Sequence, residues 1–132
     1  MKRSHKTRKH DERGAVAVEF ALVAPILIAL IIAIVEFSNA YNVQVSVTQA
    51  SREAARTMAI TKDATKATAA GKAGAPSINS SLLTFDYTAA ACPAATPAST
   101  AVVTVKYSGS SLTGFFGSTL TVTGKGAMQC GG

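Results

Sequence analysis

The chain has 132 residues, a formal net charge of +6, two cysteines and two histidines. That length holds one small domain at most, and a long apolar run takes a large share of it, which excludes a sizeable soluble core. His5 and His10 both precede that run, Asp63 and Asp86 have no partner at a diagnostic spacing, and no phosphate-cradling glycine motif occurs, so no catalytic residue, metal or cofactor is expected and the chain reads as no enzyme.

Residues 1–14 form a basic leader, in which Lys2, Arg3, Lys6, Arg8, Lys9 and Arg13 are opposed by Asp11 and Glu12 alone. A basic cluster abutting an apolar segment is most simply a cytoplasmic retention signal. A nucleic-acid arm is the other use of such a cluster, but aromatic or Gly-rich interleaving is missing and no nucleic-acid partner is expected. Ala15–Val35 follows with Glu19 as its one charged residue. A helix of roughly 20 residues rises about 30 Å, enough to cross a bilayer once. The charge asymmetry places the N-terminus in the cytoplasm and everything from Glu36 onward outside the cytoplasmic (inner) membrane, where an oxidising exterior suits Cys92 and Cys130.

No glycine interrupts the chain between Gly14 and Gly71, and Pro25 is a kink that a membrane helix tolerates, so one helix over 15–60 is predicted. Val43, Val45 and Val47 alternate like a strand. Val43, Val47, Ala50, Ala54 and Met58 nevertheless follow steps of three and four, a narrow apolar stripe with Gln44, Ser51, Arg52 and Lys62 elsewhere. Glu53 and Arg56 have the spacing of an exposed ion pair worth a few tenths of a kcal/mol. Glu36 reads as interfacial, with Phe37 and Tyr41 beside it in an aromatic belt.

Residues 61–81 read as a loose connector or a marginal helix followed by a turn. Beyond them, Leu82–Tyr87, Ala101–Tyr107 and Ser118–Met128 are predicted strands, which makes 82–132 a small exported antiparallel β domain and the whole chain α+β. Between the last two strands Leu112, Phe115 and Phe116 are expected to pack over the sheet or bear on a neighbour. Ala95–Thr100 has a mucin-like composition but reads as a solvated loop. Such a sheet is barely stable alone. A disulfide between Cys92 and Cys130 would add very roughly 3–4 kcal/mol; two free thiols or an intermolecular bridge are the alternatives.

Glu19 remains to be explained, because a carboxylate at the centre of a membrane helix costs roughly 2.5–3.5 kcal/mol. A cleaved export signal ending at Ser38 and Ala40, with Tyr41 as the new terminus, would need a shorter apolar core without Glu36 in its approach. A plain anchor explains neither Gly14 nor Glu19. The order Gly14, Ala15, Val16, Ala17, Val18, Glu19, Phe20 behind a basic leader resembles the type IV prepilin class, whose leader ends in Gly and whose mature chain has Glu as its fifth residue. More narrowly, the stretch from Arg13 to Ala59, with Pro25, the outer pair Glu36–Phe37 and a downstream Ala-Arg helix, resembles the TadE-like pseudopilins of tight adherence (Flp) systems. The likeness is looser over the last fifty or so residues.

The resemblance implies removal of residues 1–14 by a prepilin peptidase at a processing site formed by Gly14, Ala15, Glu19 and Phe20. Glu19, Pro25 and Glu36 would belong to an assembly helix. It also implies Flp-type pilins, other pseudopilins and the membrane assembly platform as partners besides the lipid bilayer, in a structural or assembly role supporting adhesion and surface colonisation. Whether such a chain enters the fibre or stays in the membrane is left open. Cleavage would create an α-ammonium at Ala15, with an ordinary pKa of about 8, one helical turn from the Glu19 carboxylate; in a low dielectric that pairing is valuable. A Glu19 that simply snorkels to the cytoplasmic interface is the plainer reading. The competing function is a permanently anchored envelope protein whose exported domain binds a partner.

Overall fold

The structure is a computed structural model that describes residues 11–90, 92, 99–115 and 117–131. Helix α1 is Asp11–Thr61, helix α2 is Ala64–Ala73, and a short 3-10 turn, Ser80–Leu82, leads into strands β1 (Leu83–Asp86), β2 (Thr100–Ser110) and β3 (Thr119–Gln129). The fold is α+β, a long N-terminal helix followed by a three-stranded antiparallel sheet. Two units are compact in themselves, one ending at Val35 and the other beginning at Glu36.

In the first unit the described residues are all helical, beginning four residues before Ala15 inside the stretch read as leader. Val16, Val18, Phe20, Leu22 and Ile26 are all exposed. Pro25 sits inside the helix without ending it. α1 is long and apolar enough to cross a membrane. A helix apolar all round is covered in use, by a bilayer or by other protein.

In the second unit α1 presents its stripe to the sheet. Val43, Val47, Ala50 and Ala54 are buried and Met58 half-buried, whereas Val45 is exposed, so the helical period and not the strand alternation holds. The stripe is wider than its hydrophobic positions: Ser46, Ser51, Ala55 and Ala59 are buried too. Ser51, read from the sequence as lying off the stripe, is instead fully buried at 0% exposure. Burial is tolerated because its hydroxyl donates to the Thr48 carbonyl at 2.8 Å. Ser46 does the same toward Asn42 at 2.9 Å and pairs with the Ser77 hydroxyl at 2.6 Å. Glu53 and Arg56 form no ion pair; among the described residues the recorded one is the exposed Lys66–Asp63 contact at 4.0 Å.

α1 stops where Lys62 adopts a left-handed backbone (φ 54) and its N–H returns to the Met58 carbonyl at 2.9 Å. Asp63 then caps α2, its carboxylate accepting from the Thr65 and Lys66 amides at 2.8 and 3.3 Å. Of the two forms open to 61–81, the helix followed by turns is the one that forms. Gly71 of α2 lies against the Phe85 ring and the Ala50 carbonyl, where no larger residue fits. The Tyr87 hydroxyl meets that of Thr68 at 2.7 Å, and burial pushes its pKa up.

Amide donors hold the carboxyls of Asp63 (from Lys66, then Thr65) and Asp86 (from Thr88) below the ordinary Asp value. Because both folded values are depressed, the stability they lend is fully present above the unfolded Asp value of about 4 and is lost as pH falls through the lower folded values. Hydrogen exchange of the Thr65, Lys66 and Thr88 amides should therefore show protection declining only below about pH 4, corrected for intrinsic rates. In Asp63→Asn, protection at Thr65 and Lys66 should lose that dependence.

β2 pairs antiparallel with both neighbours, from Leu83↔Tyr107 to Asp86↔Thr104 on one side and from Thr100↔Gln129 to Ser110↔Thr119 on the other. Ala101, Val103, Val105 and Tyr107 point inward, alternating with residues that are exposed or half-buried. On β3 the inward set is Val122, Gly124 and Gly126. Those glycines fall under α1: a Cβ at Gly124 would lie 2.9 Å from the Val47 carbonyl oxygen, and one at Gly126 would overlap the Ser51 carbonyl. Val47 and Ser51 are one helical turn apart, and Gly124 and Gly126 are two residues apart on one face of a strand, so helix and sheet backbones approach through matched small positions.

Cys92 and Cys130 form the intramolecular disulfide, with Cα atoms 5.6 Å apart. The Cys130 amide also donates to the Ser99 carbonyl at 2.8 Å. Phe116 and residues 95–98 of the expected solvated loop lie outside the described residues.

Candidate functional site

Gly14, Ala15, Glu19 and Phe20 lie within little more than a turn and a half of α1, all exposed. A Cβ at Gly14 would meet nothing within 4 Å, so the fold gives no steric reason for glycine there. A glycine inside a helix costs about 1 kcal/mol relative to alanine. Ala15 and Glu19 are four residues apart and share a face, the geometry in which a new α-ammonium and the carboxylate would be neighbours.

Glu36, expected as an interfacial carboxylate, has hydrogen-bond partners within the protein. Its Oε1 accepts from the Leu112 amide at 3.2 Å, and its Oε2 accepts from the Thr113 amide at 3.1 Å and the Thr113 hydroxyl at 3.0 Å. It thus fastens the loop between β2 and β3 to α1. Two successive amides turned toward one anion form a nest, and the short polar and glycine residues around them, Ser111, Thr113 and Gly114 (φ 70), permit that backbone. Leu112 and Phe115 do not pack over the sheet; both are 62% exposed. Phe37 and Tyr41 are exposed as well.

Sequence reasoning found Glu36 but missed its partner. The signal available was weak: a carboxylate and a Ser-Ser-Leu-Thr-Gly turn more than seventy residues apart, with nothing local to join them. Glu36→Ala should release residues 111–114. We expect the Leu112 and Thr113 amides to become fast-exchanging while the β2–β3 ladder stays protected, measured by hydrogen exchange on the detergent-solubilised chain. Glu36→Gln keeps two acceptor positions' worth of shape but only one carbonyl oxygen, and should give an intermediate loss.

With this geometry in hand, comparison with known families is informative. Residues 14–56 match the TadE-like protein family model. This segment is TadE-like. No curated protein and no solved structure matches the chain. The TadE-like segment begins on Gly14 and ends on Arg56, within α1. It contains Gly14 and Glu19, the apolar run, Glu36 and most of the buried stripe. The sheet and the disulfide lie beyond it.

Proposed function

We propose that the chain is a minor pilin-like, TadE-like component of a tight adherence pilus. It is made as a single-pass inner-membrane precursor with its N-terminus in the cytoplasm and cleaved after Gly14 by a prepilin peptidase. The role is structural, in pilus assembly and through it in adhesion and surface colonisation; catalysis and cofactors have no part in it. Flp-type pilins, other pseudopilins and the membrane assembly platform are its partners.

The observation that carries this reading is the start of the TadE-like match at Gly14, the residue after which cleavage is expected. Three properties support it. The apolar residues after Gly14 form an uninterrupted helix, the Glu19 carboxylate sits one turn from the prospective terminus, and a second compact unit follows the span. A processed subunit would keep its Ala15 ammonium and Glu19 in apolar surroundings, where charge pairing between them or across neighbouring subunits offsets the cost of burial.

Gly14→Val tests the reading. It should abolish conversion to the shorter form in cells that have the peptidase, and remove the protein from sheared surface material, without altering its insertion into the membrane. Normal processing of Gly14→Val would overturn it. The competing reading, a permanently anchored envelope protein, draws on the location of the whole sheet outside the family match; it predicts that wild-type and Gly14→Val chains have the same length.

A further inference from the structure

Residues 112–115 at the turn between β2 and β3 combine exposed apolar side chains with bonded backbone N–H groups. The Leu112 and Thr113 amides donate to Glu36, the Gly114 amide donates to the Ser111 hydroxyl at 2.9 Å, and the Phe115 amide donates to the Thr113 hydroxyl at 3.3 Å. Four successive N–H groups are thus bonded within the protein. In water that arrangement has little value, because water serves an exposed amide as well; in an apolar medium each unmet donor is costly. The same stretch is free of charge, since no Asp, Glu, Lys or Arg occurs between Lys106 and Lys125.

Glu36 fixes where this turn sits. It follows Val35 directly, and its carboxylate oxygens lie 3.0–3.2 Å from the donors at positions 112 and 113. A helix advances only about 1.5 Å per residue. The turn is therefore tied to the residue that directly follows the apolar run. Phe37 and Tyr41, exposed on the following turn of α1, are residue types that favour the membrane–water boundary.

We propose that the tip of the β2–β3 hairpin is a lipid contact, in which Leu112 and Phe115 enter the headgroup–acyl boundary of the outer leaflet and Glu36 sets their depth. The inference rests on the reading that residues 15–35 span the bilayer. The outer end of the subunit is then held by the bilayer at two points, the helix and the hairpin, and withdrawal of the subunit from the membrane extracts both.

The chain contains no tryptophan, so single substitutions report position directly. Full-length Leu112→Trp, Ile28→Trp and Lys125→Trp are reconstituted in phosphatidylethanolamine/phosphatidylglycerol vesicles with acyl chains brominated at shallow or deep carbons. Lys125 lies six residues along β3 from the hairpin end, about 20 Å away, and reports the solvated face. The expected result is blue-shifted Leu112→Trp emission quenched by shallow bromines, with Ile28→Trp quenched by deep bromines and Lys125→Trp by neither. Adding Glu36→Ala to Leu112→Trp should reduce the quenching; undiminished quenching would remove Glu36 from the proposal. Leu112→Trp emission like that of Lys125→Trp, beside a quenched Ile28→Trp, would overturn the lipid contact and leave the span intact. Blue-shifted but unquenched Leu112→Trp would also overturn it, in favour of burial against protein such as a second copy. An unquenched Ile28→Trp would overturn the membrane span and the contact together.

Discussion

Replacing Cys92 and Cys130 together with serine lowers the unfolding free energy of the second unit by about 3–4 kcal/mol, the value expected when a cross-link between residues 38 apart no longer restricts the unfolded chain. The loss is large for this fold because the sheet has only three strands, and β1, one of its edges, is four residues long. Cys130 directly follows β3, and its amide reaches back to Ser99, just ahead of β2. Without the disulfide, non-covalent contacts such as that hydrogen bond and the last rungs of the β2–β3 ladder hold the two chain ends. Denaturant unfolding of the purified chain in detergent, followed with and without reductant, measures the difference. The double serine variant should match the reduced wild type, and equal stability of all forms would show that the link contributes nothing.

Gly126→Val should cost about 3 kcal/mol, at the upper end of what overpacking usually costs. The reason is the nature of the neighbour. A Cβ at position 126 meets the carbonyl of Ser51 and the Arg52 amide, all backbone within a helix, and no rotamer change moves them aside. α1 has to lift off the sheet, which exposes Val47 and loosens contacts with Val103 and Val105, the largest fully buried side chains beside Ser51. At Gly109 the obstructing atoms belong to the Tyr107 ring, a side chain, so Gly109→Ala should be milder than Gly126→Val. Thermal melts of the two variants by circular dichroism test the ordering. Equal melting temperatures for Gly126→Val and wild type would show that helix and sheet do not meet at these glycines.

Local patterns revealed most of the architecture. The three-and-four spacing of Val43, Val47, Ala50, Ala54 and Met58 identified the buried face of α1, and alternation in Ala101–Tyr107 identified the inward face of β2, because burial repeats with the geometry of each element. What escaped depended on long-range contacts. Ser51 looks polar, but its hydroxyl is satisfied within its own helix, which frees its backbone to serve as a packing surface for Gly126. Gly124 and Gly126 lie inside a predicted strand that gave them no role, and they are sites of close backbone approach. Glu36 reads as an interfacial charge, and its further role as the acceptor for a turn more than seventy residues away is not visible in the sequence. The candidate processing site was legible for a different reason: Gly14, Glu19 and Phe20 fall within seven residues of sequence, and the role proposed for them needs no long-range contact.

The central claim is the processing after Gly14, and the intact mass and N-terminal sequence of the protein test it most directly. Both are read from membrane and sheared surface fractions of cells with and without the prepilin peptidase. The predicted result is a mature chain beginning at Ala15 that is lost when the peptidase is absent; its occurrence in the sheared fraction as well would place it in the fibre. A chain still beginning at Met1 in peptidase-proficient cells would contradict it and leave an anchored envelope protein; one beginning at Tyr41 would contradict it in favour of a secreted domain.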